Sequence, residues 1–132
     1  MSKLRLATVW LDGCSGCHMS FLDLDERLLA VADVVSLHCP LTPATRGLIG
    51  AREIALMRPE AVLINTARGA LVDGYALSKA LKERRLAGAG IDVLPQEPPV
   101  EGDPLLDPDI PNLIVTPHIA WAAREARQRC LA

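Results

Sequence analysis

"AVLINTARGALVDGYALSKALKERRLAGAGIDVL", residues 61–94, holds a complete strand–helix–strand unit. "AVLINTA" (61–67) and "AGAGIDVL" (87–94) are short, nearly continuous apolar runs, the character that burial on both faces of a parallel sheet demands. Between them, "YALSKALKERR" (75–85) puts Ala76, Leu77, Ala80 and Leu81 on one helical face, the spacing of a buried stripe. Asp73 stands just before this helix as an N-cap, because its carboxylate can accept the unpaired amides of the first turn.

The same alternation extends in both directions. "LRLATVWL" (4–11) and "DVVSLH" (33–38) read as strands, with a helix in "FLDLDERLLAVA" (21–32) between them. A short helix in "AREIALM" (51–57) precedes the central unit, and "NLIVTPH" (112–118) is a further strand, followed by a helix over 120–132. Strand–helix alternation at this spacing predicts an α/β fold: a partial Rossmann-like, doubly wound parallel sheet of about five strands with flanking helices. In that arrangement "LRLATVWL" takes the place of a first strand beside "DVVSLH".

Bulk composition narrows the function classes. The chain has 132 residues, half of them hydrophobic and 23% charged, which suits one globular unit with a core. A net charge of −2 gives no electrostatic footprint for nucleic acid or an anionic membrane. The only aromatic residues are Trp10, Phe21, Tyr75 and Trp121, too few for a base-stacking platform. No apolar run approaches the ~20 residues of a membrane span and no signal segment opens the chain, so a cytoplasmic protein is expected. Among the four cysteines, Cys39 and Cys130 read as small buried hydrophobes.

In a parallel α/β sheet, ligands bind beyond the carboxyl ends of the strands. Three polar groups fall there: Arg68 after "AVLIN", Glu97 after "AGAGIDV" and His118 after "NLIVTP". This set suits reduction of a 2-keto acid. Arg68 would hold the substrate carboxylate through its planar fork. His118 would give a proton to the carbonyl oxygen as hydride arrives, and Glu97 would bind the far ring nitrogen and orient the imidazole.

At these residues a resemblance becomes specific. "ADVVSLHCPLTPATRGLIG", "AVLINTARGALVD", "AGAGIDVLPQEPP" and "NLIVTPHIAWAAREARQR" resemble consecutive motifs of the D-isomer-specific 2-hydroxyacid dehydrogenases over residues 30–132. The "EPP" to "REARQR" ending is most similar to glycerate dehydrogenases, also called hydroxypyruvate reductases. The resemblance implies NAD(H) as cofactor, a small 2-hydroxy or 2-keto acid as substrate, and Arg68, Glu97 and His118 as the catalytic trio. It also implies cofactor contacts at His38, Cys39 and Pro40 on the adenosine side, and at Thr66, Ala67 and Asp92 nearer the nicotinamide. No GxGxxG follows a strand, so the chain reads as the second half of a dinucleotide-binding domain, expected to be inactive by itself.

Residues 1–29 do not fit that pattern. "KLRLATVWLDGCSGCHMSFLDLDE" resembles the start of the small subunit of cytoplasmic, NAD-linked [NiFe] hydrogenases, which implies Cys14 and Cys17 as ligands of a 4Fe-4S cluster and a hydrogenase large subunit as partner. Such a cluster takes four ligands, and the pair supplies an incomplete set; a thioredoxin-like disulfide, half a zinc site with His18, or two free thiols in a loop are the competing readings. The chain then reads as a fusion, residues 1–29 and 30–132 folding as one unit. A bare edge on its first strands would make it a homodimer.

Overall fold

Strands form where the apolar runs lie, and the short helices form between them. The computed structural model describes residues 5–9, 27–122 and 128. In chain order the elements are β1 (Leu6–Val9), α1 (Arg27–Val31), β2 (Val34–Leu37), α2 (Ala51–Leu56), β3 (Val62–Asn65), α3 (Gly74–Lys82), β4 (Gly88–Ile91) and β5 (Leu113–Val115). Single 3₁₀ turns occupy Gly69–Leu71, Pro104–Leu106 and Ala120–Ala122. Of the helix expected over 120–132, only that last turn and Gln128 are described, and Cys14, Cys17 and Cys130 lie outside the described residues.

The strands form one parallel sheet in the order β1-β2-β3-β4-β5. The parallel α/β class stands as expected. The order never reverses among the described strands, so the doubly wound arrangement expected from the sequence is not seen among them: the described sheet is wound in a single direction. The α-helices pack in a row: α1 on α2, α2 on α3, and α3 on the Pro104–Leu106 turn. Beneath them Val35, Leu63 and Ala89 lie in register and are closed to solvent. The alternating row opens toward the β5 edge, where Ile114 is 70% exposed, because no described element covers the second face.

The first strand takes the expected place. Leu6–Val9 pairs in register with Val34–Leu37. Asp33 anchors this edge. Its carboxylate accepts the Arg5 backbone N–H at 2.8 Å, and the Arg5 guanidinium closes a two-pronged fork on it at 3.1 and 3.2 Å. Those bonds hold the Asp33 carboxyl below the usual carboxylate range.

Helix α3 carries out the pattern read from the sequence. Asp73 Oδ1 accepts the Tyr75 and Ala76 amides at 3.0 and 3.1 Å, while Leu77 and Leu81 are wholly buried. The helix stops at Lys82 rather than 85 because Arg84, at φ 57°, turns the chain. Arg85 then folds back and donates to the carbonyls of Ala55 and Met57 at 2.6 and 2.7 Å, capping the end of α2.

Candidate active site

At the carboxyl end of β3 the chain makes a turn that carries Arg68. Asn65, fully buried, shapes it: its Oδ1 accepts the Ala67 N–H at 3.1 Å and its Nδ2 donates to the Arg68 carbonyl at 2.9 Å. A polar side chain so buried is costly unless both its ends are bonded, and here they are. Arg68 itself is exposed. One of its guanidinium nitrogens donates to the Ala67 carbonyl at 2.6 Å, and among the described residues the rest of the fork makes no further bond. Gly69 follows, packed so tightly that a Cβ there would sit 2.1 Å from the Leu94 carbonyl carbon. The Arg68 turn and the loop after β4 are thus in backbone contact.

That second loop carries Glu97. Its Oε1 accepts the Leu94 N–H at 2.8 Å, and its Oε2 meets His118 Nδ1 at 2.6 Å. The Leu94 amide and then the His118 ring hold the Glu97 carboxyl below its ordinary range, so it is ionised and accepts at Nδ1. Nε2 of His118 is left without a bond among the described residues. The sequence placed Glu97 on the far ring nitrogen, and the structure does the same.

His118 has φ 54°, a left-handed conformation that a non-glycine residue keeps only when its surroundings over-determine it. They do. Its N–H donates to the Asp92 and Thr116 carbonyls at 2.9 and 3.0 Å. Its carbonyl accepts the Trp121 indole N–H at 2.7 Å. The next two amides, Ile119 and Ala120, donate to the Asp92 carboxylate at 2.8 Å each.

Asp92 is therefore an internal clasp, only 4% exposed, that also accepts the Thr116 hydroxyl at 2.5 Å. Burial pushes its carboxyl up, but the Thr116, Ala120 and Ile119 bonds together with nearby His118 outweigh it and hold it below its usual range. Among the described residues Oδ2 accepts a single hydrogen bond, so one acceptor position remains. The other residues with an expected cofactor role alternate in direction. His38 and Pro40 are exposed, and His38 Nε2 pairs with Ser36 Oγ at 2.8 Å. Cys39 between them faces the core at 3% exposure, where burial raises its thiol. Thr66 is exposed and Ala67 half-buried.

The structure thus brings Glu97 and His118 into direct contact and sets Arg68 on the adjoining turn. Beside the dyad lies an open groove of about 440 Å³, largely apolar, with Pro98, Leu106 and Val115 in its wall. Arg68 does not line it. Asn65, Thr116 and Trp121 escaped the sequence reading. Asn65 alone had a signal: a polar residue in the middle of a buried apolar run needs internal partners.

A one-way parallel sheet with an imidazole–carboxylate pair at its strand ends is an α/β fold whose site geometry suits proton transfer. Comparison with known proteins narrows this class. Residues 15–120 match the family described as D-isomer specific 2-hydroxyacid dehydrogenase, NAD binding domain. The chain is 56% identical over 103 residues to a glycerate dehydrogenase of Methylorubrum extorquens, an alignment covering 78% of this chain and 33% of that protein. It superposes on the TT0316 protein from Thermus thermophilus with a TM-score of 0.74 and 38% identity, over 96% of this chain and 47% of that one. The NAD-complexed D-isomer specific 2-hydroxyacid dehydrogenase from Lactobacillus delbrueckii ssp. bulgaricus gives a TM-score of 0.69 at 35% identity, over 94% of this chain and 43% of that one.

The chain belongs to the D-isomer specific 2-hydroxyacid dehydrogenase family, in its NAD-binding domain. It spans about a third of the length of the curated relatives it matches. The hydrogenase likeness of residues 1–29 finds no support in these matches, and the family match itself begins at residue 15. Among the described residues no cluster of three or more His, Cys, Asp or Glu could hold a metal ion, and no helix is long and apolar enough to cross a membrane.

Proposed function

We propose that this chain supplies the nicotinamide-side half of an NAD-dependent D-2-hydroxyacid dehydrogenase of the glycerate dehydrogenase kind, interconverting a small 2-hydroxy acid and its 2-keto acid in the cytoplasm. The observation that carries this reading is the Glu97–His118 pair, with Nδ1 engaged at 2.6 Å and Nε2 left for a substrate. The strand-end groups suit a dinucleotide: His38, Pro40 and Thr66 are exposed at neighbouring strand ends, and Asp92 Oδ2 at the next strand end keeps an acceptor position. Bound NADH supplies the hydride.

The chain's own residues do the rest. Arg68 binds the substrate carboxylate through the donors its Ala67 bond leaves over. His118 holds a proton at Nε2 and gives it to the carbonyl oxygen, while Glu97 fixes the ring and stabilises the imidazolium that precedes transfer. In the reverse direction Nε2 takes the hydroxyl proton. The pairing of β1 with β2 supports residues 1–29 and 30–132 as one unit. The hydrogenase-like reading rests on the stretch "KLRLATVWLDGCSGCHMSFLDLDE" with its Cys14–Cys17 pair, and iron and sulfide analysis after anaerobic reconstitution tests it.

Calorimetric titration with NADH, mapped by backbone NMR, tests the main proposal. Saturable binding that perturbs residues 38–40, 66–68 and 92 is expected. An absence of binding at millimolar NADH, or perturbation confined to other surfaces, would overturn it.

A further inference from the structure

We propose that Asn65 is the positioning residue for Arg68, holding the arginine-bearing turn in place by hydrogen bonds rather than by filling space. The inference rests on the proposed function only for what Arg68 does once placed. Asn65 spends its whole side chain on the turn: Oδ1 on the Ala67 amide and Nδ2 on the Arg68 carbonyl. Its own carbonyl accepts the Asp92 N–H at 2.9 Å. Asp92 in turn grips the amides of 119 and 120 and, through its carbonyl, that of His118. One fully buried residue therefore ties the Arg68 turn to the clasp that sets His118.

Two backbone contacts hold the far end of the turn: the Leu71 N–H donates to the Arg68 carbonyl at 3.2 Å, and Gly69 packs against Leu94 and Pro95. Thr66 and Arg68 are exposed, and among the described residues Asn65 is the one side chain from outside the turn that bonds its backbone at residues 66–68. Without Asn65, the Ala67 N–H loses its partner and turns to water, the Arg68 C=O keeps only the Leu71 bond, and the backbone bearing the guanidinium is freed from its extended setting of φ −147° and ψ 135°. A group that must meet a substrate carboxylate in a fork geometry is sensitive to displacements of this kind.

Asn65→Leu, of nearly equal shape, separates hydrogen bonding from packing. In the wild-type chain the Ala67 amide should exchange slowly, and Arg68 should show the large HN–Hα coupling of an extended residue. In Asn65→Leu, exchange at Ala67 should quicken roughly tenfold or more, as the loss of one buried hydrogen bond implies, and the Arg68 coupling should fall toward its averaged value. The Leu63 and Ile91 amides should stay protected. Asn65→Asp, which keeps the acceptor and loses the donor, should retain Ala67 protection and still shift the Arg68 coupling, and it serves if the leucine variant does not fold. Wild-type signals at both residues in a folded variant would overturn the inference. Neither readout depends on turnover or on NADH, so a chain that fails to bind NADH counts against the proposed function alone.

Discussion

Replacing Gly69 by alanine drives a wedge between the two loops that carry the catalytic candidates. The new Cβ would lie 2.1 Å from the Leu94 carbonyl carbon, 2.3 Å from the Pro95 nitrogen and 2.4 Å from the Leu94 oxygen. Ordinary contact begins more than an ångström further out, and every atom it meets is backbone, so no side chain can rotate away. Overpacking of a tight interior costs about 1–3 kcal/mol and sometimes more; with backbone on both sides, about 3 kcal/mol or above is expected. That is a large share of the ~5–15 kcal/mol that holds a domain folded. Because Leu94 N–H binds Glu97, separation of the loops should also disturb the Glu97–His118 pair. Gly90 provides the control: a Cβ there meets nothing within 4 Å, and Gly90→Ala should change stability by less than about 1 kcal/mol. Urea denaturation of the three proteins measures both effects. A Gly69→Ala chain within ~0.5 kcal/mol of wild type, or no less stable than Gly90→Ala, would refute the close-approach argument.

Acid should loosen the clasp before the sheet. The Asp92 and Glu97 carboxyls are both held below their ordinary values, so their stabilisation is complete above the usual carboxylate range and is lost as pH falls through the lower folded values; amide exchange at Leu94, Ile119 and Ala120 should quicken there first, and protection unchanged down to global unfolding would contradict this. Asp33→Asn should weaken the docking of β1, because the Arg5 fork loses its charge partner; faster exchange over residues 6–9 with unchanged protection in β3 is expected, whereas equal exchange would show the fork to be dispensable. The 132-residue chain by itself should reduce hydroxypyruvate with NADH negligibly, since it spans about a third of its curated relatives' length and positioning of two reactants is worth ~7–11 kcal/mol of barrier. Clear turnover abolished by His118→Ala would show that reasoning wrong.

Much of this was legible because the relevant signals are local. Apolar runs mark β2 to β5 within one to three residues, and the Asp73 cap and the Leu77–Leu81 stripe specify α3 from sequence alone. The strand-end rule pointed to Arg68, Glu97 and His118, which lie a few residues past the ends of β3, β4 and β5, and the structure brings Glu97 and His118 into contact. What stayed hidden depends on neighbours distant in sequence. Asp92 enters the sequence reading only as a cofactor contact that the resemblance implies, yet three donors from residues 116–120 close over it. The left-handed backbone of His118 has no sequence mark, since histidine carries no preference strong enough to announce it. Cys39 stands in a motif likened to a cofactor-lining segment, but strand alternation turns it inward between exposed His38 and Pro40. The one-way winding is likewise a property of strand order, which periodicity does not encode.

The central claim is that Glu97 fixes His118 so that Nε2 is the proton-transferring atom. ¹⁵N NMR of the His118 imidazole, in the wild-type chain and in Glu97→Gln, tests it most directly. Whenever the ring carries a single proton, that proton is expected on Nδ1, hydrogen-bonded to the carboxylate, which leaves Nε2 as the atom that takes up and gives the transferred proton; in Glu97→Gln that preference should relax toward a mixture of tautomers. A wild-type ring whose single proton sits on Nε2, or tautomer populations that Glu97→Gln leaves unchanged, would contradict it.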